Sequence, residues 1–562
     1  MKPPSSGASL FVDILERYCV THLFGNPGTT ELPILEALVD SDVEYVLALH
    51  EDVAVGMAAG YAGTRRYHSH HDPAVVPVGV VNLHLIGGLS HGLGNLYNAR
   101  TMGTPLVVTA GDYARTARHE EPILSGDLVA LARPFTKWST EVRDVEALPA
   151  VMRRAFRIAL TPPTGPVFVS LPLDVLTAET TAAPERLGPI PNAGRGDPGQ
   201  IELAADLLVE AKNPLLVVGD GLARAGYRAI DAAREFAEAA GARVYGELYA
   251  SEIAFPTDHP QWISYLPLAN DDLARGLLDT DTIVFAGCST VDTFLRRGGE
   301  LVGSETTCIH ITDTGTGIGK NQPADAAVVG DPGLVMADAA RLLRERLPDD
   351  DRADRRCRIA EEKPAIVERL SPPTPPEPEE GLLSKPDLVD ALRGAFPDAY
   401  VVDEGLTAKM VLLARWHLAP ERYLSNKGLC LGYGLPASVG AAIAERQVSD
   451  PLPVVGFVGD GSYLYYPQAV YTAVRYGVDL TVVVPDNRTY RILKDNYRRF
   501  FEGERLDALG GLDFDPPVDI AANAGSQGAH ALSVRTPAEL DAALRSARET
   551  TGPTVLDVRV QD

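Results

Sequence analysis

Short β-branched runs alternate with longer amphipathic stretches along nearly all of this 562-residue chain, and that alternation most limits what it can fold into. Candidate strands in the first third are Thr21 to Phe24, Tyr45 to Leu49, Val75 to Leu83, Pro105 to Ala110 and Pro166 to Leu171. Strands separated by helices cannot pair as hairpins, so the pattern predicts parallel sheets covered on both faces. A chain this long also exceeds one hydrophobic core. A polar stretch from Thr180 to Gln200 precedes a second α/β region, which opens with the helix Ile201 to Ala211 and the strand Pro214 to Gly219. That region runs on through the strands Thr282 to Ala286 and Thr307 to Ile311 to a charged helix near Leu342, and a Pro-rich acidic run, Ser371 to Glu380, then reads as a semi-extended linker. Beyond it, Tyr400 to Val402, Val454 to Val458, Leu480 to Val484 and Thr554 to Val560 read as strands. The expected architecture is α/β with three doubly wound parallel-sheet domains: 1–182, 195–350 and 382–562, with 351–381 as linker.

Charge and cysteine usage exclude several function classes. Lys plus Arg number 51 against 76 Asp plus Glu, a net charge of −25 with no basic cluster, so nucleic acid is not an expected partner. The five cysteines form no CxxC, which disfavours both a disulfide framework and a zinc site and suits a reducing cytoplasm. No run reaches the 18 or so apolar residues of a membrane span, and Met1-Lys2-Pro3-Pro4 does not begin a signal peptide. A cytoplasmic protein with no membrane partner is expected.

The segment Val454 to Ser462 ends a buried strand at Gly459-Asp460-Gly461-Ser462, followed by a helical stretch from Pro467 to Tyr476. The next strand ends at Pro485-Asp486-Asn487. In a parallel sheet both ends emerge on the ligand-binding edge. Asp460, the Asn487 side-chain oxygen and the Thr489 carbonyl then form a candidate oxygen-ligand set for Mg²⁺, with Gly459 and Gly461 letting the backbone approach a diphosphate. A strand-to-helix turn is the plainer explanation of one GDGS. The chain carries its own control at Gly219-Asp220-Gly221, which has no Asn at the matching offset and reads as structural. In the first region, the strand Tyr45 to Leu49 delivers Glu51 to the start of a helix rich in small residues. A first-turn Glu there also suits the helix dipole.

Taken together, GDGS with Asn487 some 27 residues beyond Asp460, and Glu51 in Ala48 to Ala62, resemble the benzoylformate decarboxylase, acetolactate synthase and pyruvate oxidase superfamily of thiamine diphosphate enzymes. Phe24 to Pro33, Val81 to His84 and Pro134 to Ser139 are most similar to the benzoylformate decarboxylase branch. The resemblance implies pyrimidine-binding, middle and diphosphate-binding domains in that order. It implies that Glu51 activates the cofactor's aminopyrimidine, that Leu431 wedges the cofactor into a bent shape, and that Gly459, Asp460, Gly461, Ser462, Asn487, Thr489 and Tyr490 bind it with Mg²⁺. His84 is implied as a proton-transfer group. Thr29 is implied to meet the substrate carboxylate, and Ile492 to shape the substrate pocket. Members pair the pyrimidine domain of one subunit with the diphosphate domain of another, so a homodimer is the implied minimum and a homotetramer is expected.

This chain departs from that branch in places. The middle-domain loop Gly287 to Phe294 contains no histidine where the branch supplies a second catalytic one, and Ile492 and Asn496 stand where it has a smaller and an aromatic residue. Asp486 replaces the Asn usual before the metal ligand. Some members hold FAD or a nucleotide in the middle domain, but Gly219, Gly221 and Gly226 have the wrong dinucleotide spacing, and Gly315 to Asn321 is an incomplete P-loop. His68, His70 and His71 read as a solvated loop. The expected function is thiamine diphosphate- and Mg²⁺-dependent non-oxidative decarboxylation of a 2-oxo acid to an aldehyde, with carboligase activity possible. The alternatives are a carbon–carbon ligase or lyase of acetolactate synthase or 2-hydroxyacyl-CoA lyase type, and a non-catalytic subunit that kept the fold.

Overall fold

The computed structural model describes residues 5–247, 249–267, 271–288, 299–370, 382–501 and 505–561. Its backbone builds three six-stranded sheets, one in each expected region. The first runs, in spatial order, Glu44–Leu47, His22–Gly25, Gly79–His84, Leu106–Asp112, Val167–Pro172 and Trp138–Glu141, with every neighbouring pair parallel. The second orders Trp262–Tyr265, Arg243–Gly246, Pro214–Val218, Thr282–Ala286, Thr307–Thr312 and Ala326–Val329, again parallel. The third orders Tyr423–Ser425, Tyr400–Glu404, Val454–Val458, Leu480–Asp486, Pro553–Arg559 and His530–Val534. Central strands such as Val167–Pro172 and Leu480–Asp486 are buried along their whole length, which is why they read as unbroken apolar runs.

The sequence pattern misses mainly edge strands. Trp138–Glu141 and His530–Val534 alternate weakly and are only partly buried, so they carry little apolar signal. The interval 351–381 needs correction. The helix Asp349–Leu370 fills most of it, because Arg355 and Ile359 are buried within it and Arg355 donates to the carbonyls of Leu208 and Ala240. The Pro-rich run 371–381 lies outside the described residues.

Two compact units are distinguished. One comprises 1–190, 377–416 and 424–562 and contains the first and third sheets, and the other comprises 191–376 and 417–423 around the second. Within the first unit, the helix Glu51–His71 packs along the helix Gly434–Glu445, and both are apolar around most of their circumference. Backbone meets backbone at that crossing: a methyl on Gly60 would lie 2.0 Å from the Ala437 carbonyl oxygen, and one on Gly440 would lie 1.8 Å from that of Met57. Neither neighbour is a flexible side-chain end, so the helices would have to separate. Gly440→Ala is therefore expected to cost about 3 kcal/mol, the upper part of the usual range for overpacking, measured as a lower urea midpoint at unchanged slope.

Candidate active site

Val454–Val458 and Leu480–Asp486 are neighbouring parallel strands, so their carboxyl ends deliver Asp460 and Asn487 to one edge of the third sheet. Asp460 opens a one-turn helix, Asp460–Tyr463, and is only 6% exposed. Its Oδ1 accepts from the Gly461 N–H at 2.8 Å and its Oδ2 from the Arg488 N–H at 2.6 Å. The same Arg488 N–H reaches Asp486 Oδ1 at 3.0 Å, an arrangement that uses the left-handed backbone of Arg488, φ 60°. Burial, and then the nearby Asp486 carboxylate, push the Asp460 carboxyl up to about 7. Asp486 is itself compensated by Arg559, whose Nη1 lies 2.7 Å from Oδ2. Asn487 Oδ1 accepts the Thr489 N–H at 3.2 Å and keeps a second lone pair.

Asp460, Gly461, Asn487 and Thr489 line an open cleft together with Leu431, Ser462, Tyr490 and Ile492. Ser462 Oγ is buried in this wall with no hydrogen-bond partner. One buried carboxylate, an amide oxygen and an unpartnered hydroxyl in one cleft wall are chemistry that a hard divalent cation with a phosphate group would satisfy. Gly461 is tight for a related reason. A methyl there would lie 2.6 Å from the Tyr490 ring, so the ring can close over the turn only above a glycine.

The loop carrying Leu431 is held from both sides. Asn98 pairs with Cys430 like a peptide group, Oδ1 accepting its N–H at 3.1 Å and Nδ2 donating to its carbonyl at 2.9 Å. On the other side Glu404, at the end of strand Tyr400–Glu404, accepts from Asn426 Nδ2 at 2.8 Å, the Gly434 N–H at 2.8 Å and the Tyr433 N–H at 3.3 Å. The sequence reading ended this strand at Val402 and missed Glu404, although two acidic residues directly following a β-branched run were the available signal. Glu404 is 2% exposed, and burial outweighs its hydrogen bonds to raise its carboxyl to about 7. A raised acid favours the folded state while it is protonated. That contribution is complete below the unfolded value near 4.5 and is lost as pH rises through about 7. Between pH 5 and 8, wild type is expected to lose about 2 to 3 kcal/mol of stability that Glu404→Gln does not lose, read from paired urea titrations.

The first sheet presents a second constellation. Glu51 begins the helix Glu51–His71, and a methyl placed on Gly88 would lie 3.2 Å from Glu51 Oε1 and 3.4 Å from His84 Cβ, so both side chains lean on one glycine. His84, at the end of strand Gly79–His84, places Nδ1 2.7 Å from Oε2 of the fully buried Glu31. Glu31 also accepts from the Gly28 N–H at 2.9 Å and from Thr30 Oγ1 at 2.7 Å. Sequence reasoning overlooked Glu31, whose only signal was an acid three residues into the turn after Gly28. Gly28 lies against the His84 ring, where a methyl would come within 2.2 Å of Nδ1. Thr29 is exposed at the start of this turn.

The predicted site residues thus form two groups. Leu431, Gly459 to Ser462, Asn487, Thr489, Tyr490 and Ile492 share the cleft, whereas Glu51, His84 and Thr29 are not among its lining residues. The second Gly-Asp-Gly has a structural use. The buried Asp220 accepts from Ser251 Oγ at 2.6 Å and from the N–H groups of Ser251 and Glu252. The solvated loop expected at His68, His70 and His71 is instead the last turns of a helix, and His68 is buried 3.1 Å from Glu445. In the middle-domain loop, Gly287 and Cys288 are described, and 289–294 lie outside the described residues.

Three family descriptions match successive parts of the chain: "Thiamine pyrophosphate enzyme, N-terminal TPP binding domain" over 5–132, "central domain" over 201–339 and "C-terminal TPP binding domain" over 403–558. The chain is 32% identical to a benzoylformate decarboxylase of Pseudomonas aeruginosa, covering 98% of each chain. It is 28% identical to an acetolactate synthase of Arthrospira platensis over 99% of this chain and 94% of that one. Among solved structures, benzoylformate decarboxylase from Polynucleobacter necessarius superposes with a TM-score of 0.85 at 28% identity, covering 99% of this chain and 98% of the other.

Proposed function

The chain belongs to the thiamine pyrophosphate enzyme family, and from that premise we propose that it is a Mg²⁺-dependent, non-oxidative decarboxylase of a 2-oxo acid that releases CO₂ and an aldehyde. The observation that carries this reading is the placement of Glu51 beside a histidine, His84, whose Nδ1 is held by a buried carboxylate. When bound, thiamine diphosphate supplies a nucleophilic carbon and then an electron sink. The chain's residues do the rest. Asp460, Asn487 Oδ1 and the Thr489 carbonyl hold Mg²⁺. The Gly459 to Ser462 turn and Tyr490 would hold the diphosphate, and Leu431, in the same cleft wall, would support the cofactor. Glu51 exchanges a proton with the aminopyrimidine. Glu31 engages His84 through Nδ1, which leaves Nε2 to move a proton at the reacting carbon. The exposed Thr29 hydroxyl meets the substrate carboxylate, and Ile492 limits the pocket.

Glu51 lies outside the cleft that holds Asp460, which favours a site completed by a second copy of the chain. A homodimer is the minimum, and a cytoplasmic homotetramer is the expected assembly. A carboligase reading is also kept, because the segment 287–294 brings no histidine to aid protonation and release of an aldehyde. The test is incubation with thiamine diphosphate, Mg²⁺ and a panel of 2-oxo acids, with and without acceptor aldehydes. CO₂ with free aldehyde supports the decarboxylase, and ligated product without free aldehyde overturns it in favour of the carboligase. The purified protein is expected to show no flavin absorbance.

A further inference from the structure

Glu51 has two imidazoles beside it that the proposed chemistry does not use. His91 Nδ1 lies 3.2 Å from Glu51 Oε2, and the His50 ring stacks on that of His91 with centroids 5.4 Å apart and an interplanar angle of 25°. One ligand atom from each of the three residues falls within 4.8 Å of the others, and no other such group of His, Cys, Asp or Glu occurs among the described residues. Two imidazoles and one carboxylate are a common set of protein ligands at zinc sites that leave a position open. Zinc–ligand bonds of about 2.0 to 2.2 Å in a tetrahedron put neighbouring ligand atoms about 3.3 Å apart, close to the existing His91 to Glu51 separation. His50 Nδ1 accepts the Asp52 N–H at 3.1 Å, so ligation through Nδ1 would give up that cap hydrogen bond, whereas ligation through Nε2 would keep it. His91 is 61% exposed in the single chain.

We propose that His50, Glu51 and His91 bind a divalent transition cation of the zinc class, and that this cation competes with the cofactor by occupying the Glu51 carboxylate. The cation enters as an aquo ion and each histidine ligates in its neutral form, so binding sheds water and any imidazolium proton, with no redox change. The inhibitory half of the proposal rests on Glu51 being the group that activates the cofactor, whereas the binding half does not.

The test uses full-length protein stripped of thiamine diphosphate and Mg²⁺. Calorimetric titration with Zn²⁺ is expected to give one site per chain, and Co²⁺ to give the visible absorption of a tetrahedral nitrogen and oxygen site. His91→Asn and His50→Gln should each weaken Zn²⁺ binding at least tenfold, and saturating thiamine diphosphate with Mg²⁺ should displace Zn²⁺ from wild type. In turnover assays, Zn²⁺ inhibition should fall as cofactor concentration rises and should be at least tenfold weaker in His91→Asn, relative to that variant's own metal-free rate. Equal Zn²⁺ affinity in wild type and both variants, or no binding at all, overturns the site. Zn²⁺ binding that cofactor does not displace overturns the competition. If instead Glu51→Gln stays fully active, the assigned role of Glu51 fails while the metal titration still judges the site.

Discussion

Asp460→Ala is expected to lower kcat/KM at least a thousandfold, about 4 kcal/mol of lost transition-state stabilisation. The size follows from what the carboxylate is proposed to do. It is the one anionic ligand in the set of Asp460, Asn487 and the Thr489 carbonyl, and Mg²⁺ loses both a bond and a charge with it. Stability should move the other way. In the cofactor-free chain burial, and then the neighbouring Asp486 carboxylate, push the Asp460 carboxyl up to about 7. Removing one of two crowded acids relieves repulsion, so cofactor-free Asp460→Ala should melt no lower than cofactor-free wild type. Thiamine diphosphate with Mg²⁺ should raise the melting temperature of wild type and leave the variant unmoved. A variant that binds cofactor normally would remove Asp460 from the metal site.

Glu51→Gln should reduce kcat by a factor of about 10² to 10⁴, the usual worth of a positioned proton-transfer group. The substitution keeps the shape of the side chain and its place in the first helical turn, so the fold should persist. The proton is what changes. An amide cannot exchange one with the aminopyrimidine, so the loss should appear in kcat at saturating cofactor. A loss confined to the cofactor's apparent affinity would point to a binding role only. Mixing the two variants adds a separate readout. If each site takes Glu51 from one chain and Asp460 from another, refolding inactive Glu51→Gln with inactive Asp460→Ala should restore activity through mixed dimers carrying one intact site. Sites built within a single chain would show no such recovery.

The candidate residues Asp460 and Asn487 were legible in the sequence because each follows a buried strand. Val454 to Val458 and Leu480 to Val484 are unbroken apolar runs, so the polar residues directly after them, Asp460 and Asn487, stand out at the carboxyl edge of the sheet. Glu404 and Glu31 were not legible for the opposite reason. Each is a carboxylate whose partners are mostly backbone N–H groups or residues far along the chain, such as His84 for Glu31 and Asn426 for Glu404. A carboxylate satisfied by long-range contacts looks in sequence like any surface acid. His50 and His91 were hidden in the same way, since only the fold brings the start of one helix against the end of another seven-residue helix, Leu85–His91. The edge strands escaped because one buried face in a short segment is a weak periodic signal.

The glycine crossing between Glu51–His71 and Gly434–Glu445 also bears on how the protein is made. About 360 residues separate the end of the first helix from the start of the second. At roughly 5 to 20 residues per second, a ribosome takes roughly 20 to 70 seconds to deliver the partner. Throughout that interval the nascent chain lacks the segment, Leu424, Pro436, Ala437 and Gly440, that covers the uncharged helix face of Gly56, Met57, Gly60 and Gly63, which is the kind of surface that chaperones hold and that aggregation exploits.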